Sequence, residues 1–246
     1  MPGAIRIVIS FTVAAIGLCL VFGDVLAQRG ETPAGYPQSI EPELQALLVR
    51  LRQEPSSAEL LVKVASTYFD LGDDLLTEKA QRQAAYEEGA KAAQKALELD
   101  DTNADAYFFR AVNLGNAARL QGATSGALVV NELKSCLERA IELNPKHAQA
   151  LQMMGGMLLE LPWFLGGSEK KAQEYLERAI AADGNYVNAR IVVAKLYTKQ
   201  GRTEDARKQL TAVIQAERPH YRYTWERKYK PEAERLLKEL KATGGP

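Results

Sequence analysis

From Val187 to Arg218 the chain spells out one helix–turn–helix unit, VNARIVVAKLYTKQGRTEDARKQLTAVIQAER. Small or apolar residues recur at helical spacing through Val193, Ala194 and Tyr197. Gly201 interrupts, and a second helical run follows through Ala206, Leu210 and Val213. Ala194 and Ala206 are small enough to let two helices approach closely, with Tyr197 and Leu210 filling the space beside them. A single hairpin of this kind cannot bury its apolar face, so it must stack on neighbours built the same way.

Those neighbours can be read upstream. In the first repeat, beginning near Ser57, Leu61, Ala65 and Tyr68 take the places of Arg190, Ala194 and Tyr197, and Gly72 ends the first helix. Ala65 and Ala96 stand 31 positions apart where Ala194 and Val213 stand 19 apart, which predicts a longer second helix through Gln81, Tyr86 and Gly89. The second repeat opens at Asn103, a helix N-cap, runs through Tyr107, Ala111 and Leu114, and closes at Ala140 and Pro145. Its excess is placed around Gly122–Ala127 and the helix start that follows. The third has Leu151, Gly155 and Leu158, then Ala172, Leu176 and Ala179, with its excess in the loop LPWFLGGS ending on the N-cap Ser168. The closing positions Ala96, Ala140, Ala179 and Val213 are spaced by 44, 39 and finally 34 residues. That last interval is the tetratricopeptide period of about 34. Leu44, Leu47, Leu48 and Leu51 mark an amphipathic helix over Glu41–Arg52 that covers the first hairpin. A last helix, from Trp225 or Pro231 to Lys241 with Leu236, Leu237 and Leu240, covers the fourth. The expected fold is all-α: an α-solenoid of about four tetratricopeptide-type hairpins over residues 41–241, with capping helices at both ends and a short tail, 242–246.

The N-terminus reads as an address. After Arg6, an uncharged run extends from Ile7 to Gly23, Asp24 ends it, and Val25 and Ala27 fit the small-residue cleavage pattern of a secretory signal. Residues 1–27 are expected to be a signal peptide cut after Ala27, which predicts export to a bacterial periplasm. The alternative is an uncleaved inner-membrane anchor through residues 7–23. Residues 28–40, with two prolines and two glycines, read as a flexible linker.

Acidic and basic residues balance at 31 each, so no basic excess points to a nucleic-acid partner. Cys19 and Cys136, with His147 and His220, are too few and too scattered for a disulfide framework or a metal site. No cofactor is expected. Cys136 reads as a small buried hydrophobe, and both histidines as solvated surface residues.

The string YFFRAVNLGNAARLQG (Tyr107–Gly122), followed by the proline–aromatic–glycine loop Pro162–Gly167, resembles the T-component of TRAP transporters. A broader kinship takes in the regulators of microtubule dynamics and many bacterial repeat proteins with export signals. The resemblance covers Ala58–Glu217. It implies helical repeats, a homo-oligomer, and a pore or cleft that receives a small ligand beside a periplasmic solute-binding protein. Leu18 before Cys19 departs from the small residue that lipoprotein anchoring requires.

No G-x-S-x-G, H-E-x-x-H or phosphate-loop pattern occurs, so no enzyme is expected. The acid pairs Asp73–Asp74 and Asp100–Asp101 read as helix-end carboxylates. In hairpin arrays the first helices line a concave groove. Their register offers Ser66, Phe69 and Asp70, then Phe108, Val112 and Asn116, then Gln152 and Gly156, then Ile191, Lys195 and Lys199. Phe69 and Phe108 suit groove and core equally. Trp163 and Phe164 either fold back between the third and fourth repeats or contact a partner. The aromatic run YRYTW (Tyr221–Trp225) is expected to seat the last helix. The function expected is that of an exported, non-catalytic repeat scaffold that holds a protein partner in its groove. The alternative is a small-ligand-binding accessory component of a TRAP-type uptake system.

Overall fold

The computed structural model describes residues 32–243, and among these every regular element is helical. Helix α1 (Ile40–Gln53) covers the first of four hairpins. These are α2 (Ala58–Asp70) with α3 (Lys79–Leu99), α4 (Ala104–Gln121) with α5 (Ala123–Leu143), α6 (Ala148–Glu160) with α7 (Glu169–Ala182), and α8 (Val187–Lys199) with α9 (Thr203–Ile214). Helix α10 (Lys230–Thr243) covers the last. The α-solenoid is thus the fold of this chain. No described helix is long and apolar enough to cross a membrane. Residues 1–31, which hold the expected signal peptide, and the end of the tail lie outside the described residues.

Local chemistry starts the helices. Ser57 Oγ accepts from Leu60 N at 3.3 Å, Asn103 Oδ1 from Ala106 N at 3.0 Å, and Ser168 Oγ from Lys171 N at 3.4 Å. Each satisfies an amide that has no partner inside its helix. Where helices cross, the contact residue is small. Ala65, Ala93, Ala96, Ala111, Ala140, Ala172, Ala179 and Ala206 have no exposed surface. In α6 the same role falls to Gly155, where a Cβ would lie 2.7 Å from Leu176 Cγ and 3.1 Å from the Ala172 carbonyl oxygen.

A buried polar tie joins the first two repeats. Asn113 of α4 is fully buried and donates through Nδ2 to the carbonyls of Ala65 (3.0 Å) and Phe109 (2.9 Å). Gly89 of α3 makes room, since a Cβ there would meet the Asn113 amide at 2.6 Å.

The long first repeat follows expectation, with α3 reaching 21 residues. The second has its helix junction at Gly122, where the excess is expected, and carries the excess as helix. Helices α4 and α5 grow to 18 and 21 residues, and Gly122 alone, at φ 130°, separates them. Arg119, Leu120 and Gln121 before it are good helix formers, whereas Thr124, Ser125 and Gly126 after it are poor ones, so α5 starts as helix against local propensity. The linker differs from expectation where it is described. Residues 34–39 are turns, Pro37 is buried, and the Tyr36 hydroxyl donates to Asp74 Oδ2 while its ring meets Tyr223 edge-on at 5.0 Å. Cys136 is buried, and burial raises its thiol pKa.

After α9 the chain turns back through residues 215–229. Tyr221 adopts a left-handed φ of 54°, and Trp225 is buried with its indole N–H donating to the Val213 carbonyl at 2.8 Å. That bond satisfies a carbonyl at the end of α9, and Trp225 joins Ile191, Leu210, Ala233 and Leu240 in one core.

Substituting Gly155→Ala tests the close approach. Helix propensity favours alanine by about 1 kcal/mol, while overpacking against Leu176 and the Ala172 carbonyl costs about 1–3 kcal/mol. A lowered urea midpoint is expected; an unchanged or raised one would show that α6 and α7 part freely.

Candidate functional site

The first helices of a hairpin array face its concave side, and here the segment from His220 to Tyr229 crosses that side as a strap. At α8, Lys195 pairs with Glu232 of α10 at 2.6 Å. At the opposite end of the array, Lys228 Nζ reaches Asp73 Oδ2 at 2.8 Å and Asp74 Oδ1 at 3.7 Å. Thr224 Oγ1 donates to Asp74 Oδ2 at 3.3 Å. The strap therefore joins residues about 150 positions apart in the chain, and the two ends of the solenoid meet.

Tyrosines and carboxylates line the space beneath. The Tyr186 hydroxyl donates to Gln152 Oε1 at 3.1 Å. Tyr221 bonds to the Gln149 side chain, and crowding by the protein, then the charge of Asp70, pushes its phenol pKa up to about 12. Yet 42 % of Tyr221 is exposed. A ring both crowded and wet stands inside an open concavity. The Asp70 carboxyl is raised well above the usual carboxylate range by burial first, then by Asp74, Glu43 and Asp73. Among the described residues, none donates a hydrogen bond or an ion pair to it.

At one mouth of this space lies an open pocket of about 250 Å³, lined by Asp105, Lys146, His147, Gln149, Asp183 and His220 among others. Of the two histidines, His147 is buried rather than solvated, and His220 is half-buried. His147 is buried as the N-cap of α6, its Nδ1 accepting from Ala150 N at 3.3 Å. The ring proton therefore sits on Nε2, 3.1 Å from Asp105 Oδ1, and this imidazole holds the Asp105 carboxyl below its usual range. His220 Nε2 lies 3.2 Å from Asp183 Oδ2, and its amide donates to the Asn185 carbonyl at 3.0 Å. No serine, threonine or cysteine lines the pocket, so neither histidine has a nucleophile to activate there. Among the described residues, no cluster of three or more His, Cys, Asp or Glu is placed to hold a metal.

The residues expected in the groove divide into two sets. Ser66, Phe69, Asp70, Val112, Asn116, Gln152 and Gly156 are half-buried on α2, α4 and α6. Phe69 leans toward Tyr86 at 6.4 Å, and Val112 packs partly on the core. The others leave the groove. Phe108 is 7 % exposed, its ring 5.1 Å from those of Phe109 and His147, because the buried N-cap imidazole takes the place of solvent beside it. Ile191 is 2 % exposed in the core shared with Trp225. Lys195 is engaged by Glu232 and Lys199 by Glu169. The fourth hairpin is the last, so the returning chain takes Ile191 and Lys195, while Lys199 is drawn to Glu169 at the start of α7. Gln149, Tyr186, Tyr221 and Tyr229 enter the site without having been singled out for it. The density of aromatics in YRYTW signals Tyr221 alone; no pattern in the sequence marks Gln149, Tyr186 or Tyr229.

Trp163 and Phe164 do not fold back. They are 84 % and 67 % exposed, and Leu165 beside them is exposed too. The turn closes on its own backbone: Leu165 N and Gly167 N both donate to the Pro162 carbonyl, and Ser168 N to that of Leu158. Gly166 is left-handed at φ 91°, and a Cβ on Gly167 would overlap the Leu161 oxygen at 1.8 Å. The closure turns the aromatics outward, their rings edge to face at 5.9 Å.

Known proteins resemble this chain along most of its length. The family model described as regulator of microtubule dynamics protein 1-3 matches residues 27–160, and a tetratricopeptide-repeat model matches residues 167–223. Regulator of microtubule dynamics protein 1 of Bos taurus is 26 % identical over 192 residues, 72 % of this chain and 57 % of the relative. Regulator of microtubule dynamics protein 3 of Mus musculus is 25 % identical over 202 residues, 75 % of this chain and 42 % of the relative. The chain thus spans about half the length of these relatives. A thermophilic tetratricopeptide-repeat protein of Thermus thermophilus superposes with a TM-score of 0.62 at 18 % identity, over 88 % of this chain and 98 % of that one. The broader kinship expected from the sequence is the one these matches carry.

The raised Asp70 pKa has a consequence for stability. The folded state holds this proton more tightly than the unfolded chain, so ionising Asp70 costs stability as pH rises through the raised pKa. Below the unfolded value of about 3.9 the cost is absent. Asp70→Asn is expected to raise the urea midpoint at neutral pH, with the gain over wild type shrinking as pH falls toward about 4. A lowered midpoint at neutral pH would mean that the ionised carboxylate is stabilised in the fold.

Proposed function

Because this chain belongs to the regulator of microtubule dynamics protein 1-3 family, we propose that it is a non-catalytic scaffold that holds a protein partner in its concave face. Tetratricopeptide-type hairpins form its framework. The observation that carries the reading is the groove left part-open from Ser66 and Asp70 on α2 to Gln152 on α6, crossed by the strap that attaches at Asp73 and Asp74. A partner segment bearing a lysine or arginine would give Asp70 the donor it lacks, with Tyr221, Gln149 and Asn116 offering further hydrogen bonds. The relatives are named as regulators of microtubule dynamics, an action on other proteins, which suits a scaffold.

The run Ile7–Gly23 with Val25 and Ala27 after it supports export to a bacterial periplasm, the alternative being an inner-membrane anchor through residues 7–23. The mass of the protein recovered from cells tests this: a chain starting at Gln28 is expected, and an intact Met1 in the cytoplasmic fraction would overturn it.

Partner binding is tested with a photo-crosslinking residue placed in cells at Ser66 or Gln152, and on the outer helix face at Glu138. A discrete protein adduct is expected from the first two positions and not from Glu138. The same adducts from all three positions would count against the groove. The pocket that joins Lys146, His147 and His220 favours a second reading, the accessory component of a TRAP-type uptake system beside a solute-binding protein. A small molecule retained in constant proportion on a closed oligomer, with no protein adduct, would select that reading instead.

A further inference from the structure

In an array of antiparallel hairpins, every turn from a first to a second helix falls on the same edge. The turn after α2 carries Asp73 and Asp74, and that after α6 carries Trp163, Phe164 and Leu165. The chain enters its described fold on this edge, where Tyr36 is bonded to Asp74. Residues 24–31 separate that entry from the apolar run Ile7–Gly23, and eight residues reach at most about 28 Å. Before the cut after Ala27, or wherever the run stays as an anchor, a bilayer holding the run keeps this edge within that reach of its surface.

We propose that the Trp163–Leu165 turn is a membrane-interface contact for a bilayer containing anionic phospholipid. Three consecutive large apolar side chains, all more than half exposed, stand on a turn closed by its own backbone bonds. Solvent gives such a patch no favourable contact, whereas the headgroup–acyl boundary takes tryptophan and phenylalanine readily. Lys170 and Lys171 follow at once, exposed and without an ion pair among the described residues. They suit phosphate oxygens of anionic headgroups. Glu169 is paired with Lys199, and the nearest remaining acids in sequence are Glu160 before the turn and the exposed Glu174 after the two lysines. A protein pocket would also accept the aromatic pair, but it would not account for the turn sharing an edge with the entry from residues 7–23.

The test uses the full chain reconstituted into vesicles of phosphatidylcholine, alone or mixed with phosphatidylglycerol, bearing bromine on the acyl chains. The protein has two tryptophans, and Trp225 is buried, so the difference in emission between wild type and Trp163→Phe belongs to Trp163. That difference signal is expected to shift to the blue and to be quenched by the brominated lipid, more strongly with phosphatidylglycerol. Lys170→Glu with Lys171→Glu is expected to abolish the phosphatidylglycerol gain with unchanged circular dichroism. Solvent-like, unquenched Trp163 emission in both vesicles would overturn the proposal. So would a blue shift that needs no lipid and grows with protein concentration, because a second copy would then cover the turn.

Discussion

Everything in this fold depends on how closely the helices of a hairpin can approach. Alanine buries little apolar surface itself, so the fully buried Ala65, Ala111, Ala140, Ala172, Ala179 and Ala206 contribute little by area. Their effect is on their neighbours. With backbones drawn together at these points, Leu137, Leu151, Leu176 and Leu210 close over the crossings and lose essentially all their exposure, each worth roughly 1.5–3 kcal/mol of burial. The tie from Asn113 to the Ala65 carbonyl is possible only because α2 lies that near to α4. A larger residue at any crossing would separate two helices and every contact stacked on them.

A stack of this sort is quasi-one-dimensional, each repeat supported by its neighbours alone. The strap changes that by joining the ends, and its two attachments differ in kind. At one end Trp225 is buried and hydrogen-bonded, a contact whose loss on truncation costs about 3–5 kcal/mol. At the other, Lys228 meets the part-exposed Asp73, a pair typically worth at most about 1 kcal/mol, while the buried Asp74 carboxylate accepts from Thr224 and Tyr36. The strap is therefore held by packing at Trp225 and by polar contacts at Asp73 and Asp74, and the latter lie beside Asp70, the carboxylate without a donor. A cationic partner segment at Asp70 would enter next to the polar attachment.

The repeat was legible because small residues at fixed offsets are what helix crossings demand, and N-caps such as Asn103 and Ser168 announce themselves chemically. Half of the groove was legible for the same reason, since helical register places Ser66, Asp70 and Gln152 on the inner face. Register could not say what covers that face. Ile191 and Lys195 occupy equivalent positions and are lost to the groove only because the chain returns over α8, a path set by Trp225 and by the left-handed turn at Tyr221. His147 was obscured because its ring plays the capping part usually taken by serine or asparagine, and Phe108 went into the core with it. The outward direction of Trp163 was set by a backbone closure at Gly167 that no periodicity reveals.

Stacking accounts for the periodic residues and leaves the aperiodic ones unexplained, which is why the departures from the repeat carry the functional argument. A fourth hairpin with no excess shows that this chain can close a repeat in 34 residues. The five residues added in the third repeat contribute nothing to its core, since the turn they form exposes Trp163, Phe164 and Leu165. The strap likewise extends past the helix a solenoid needs for its cap, and its tyrosines face the concavity. One departure shapes the groove and the other leaves an apolar edge. A scaffold so built can hold a partner on its inner face while its edge rests on a different surface, because the two features lie on separate sides of the same rigid stack.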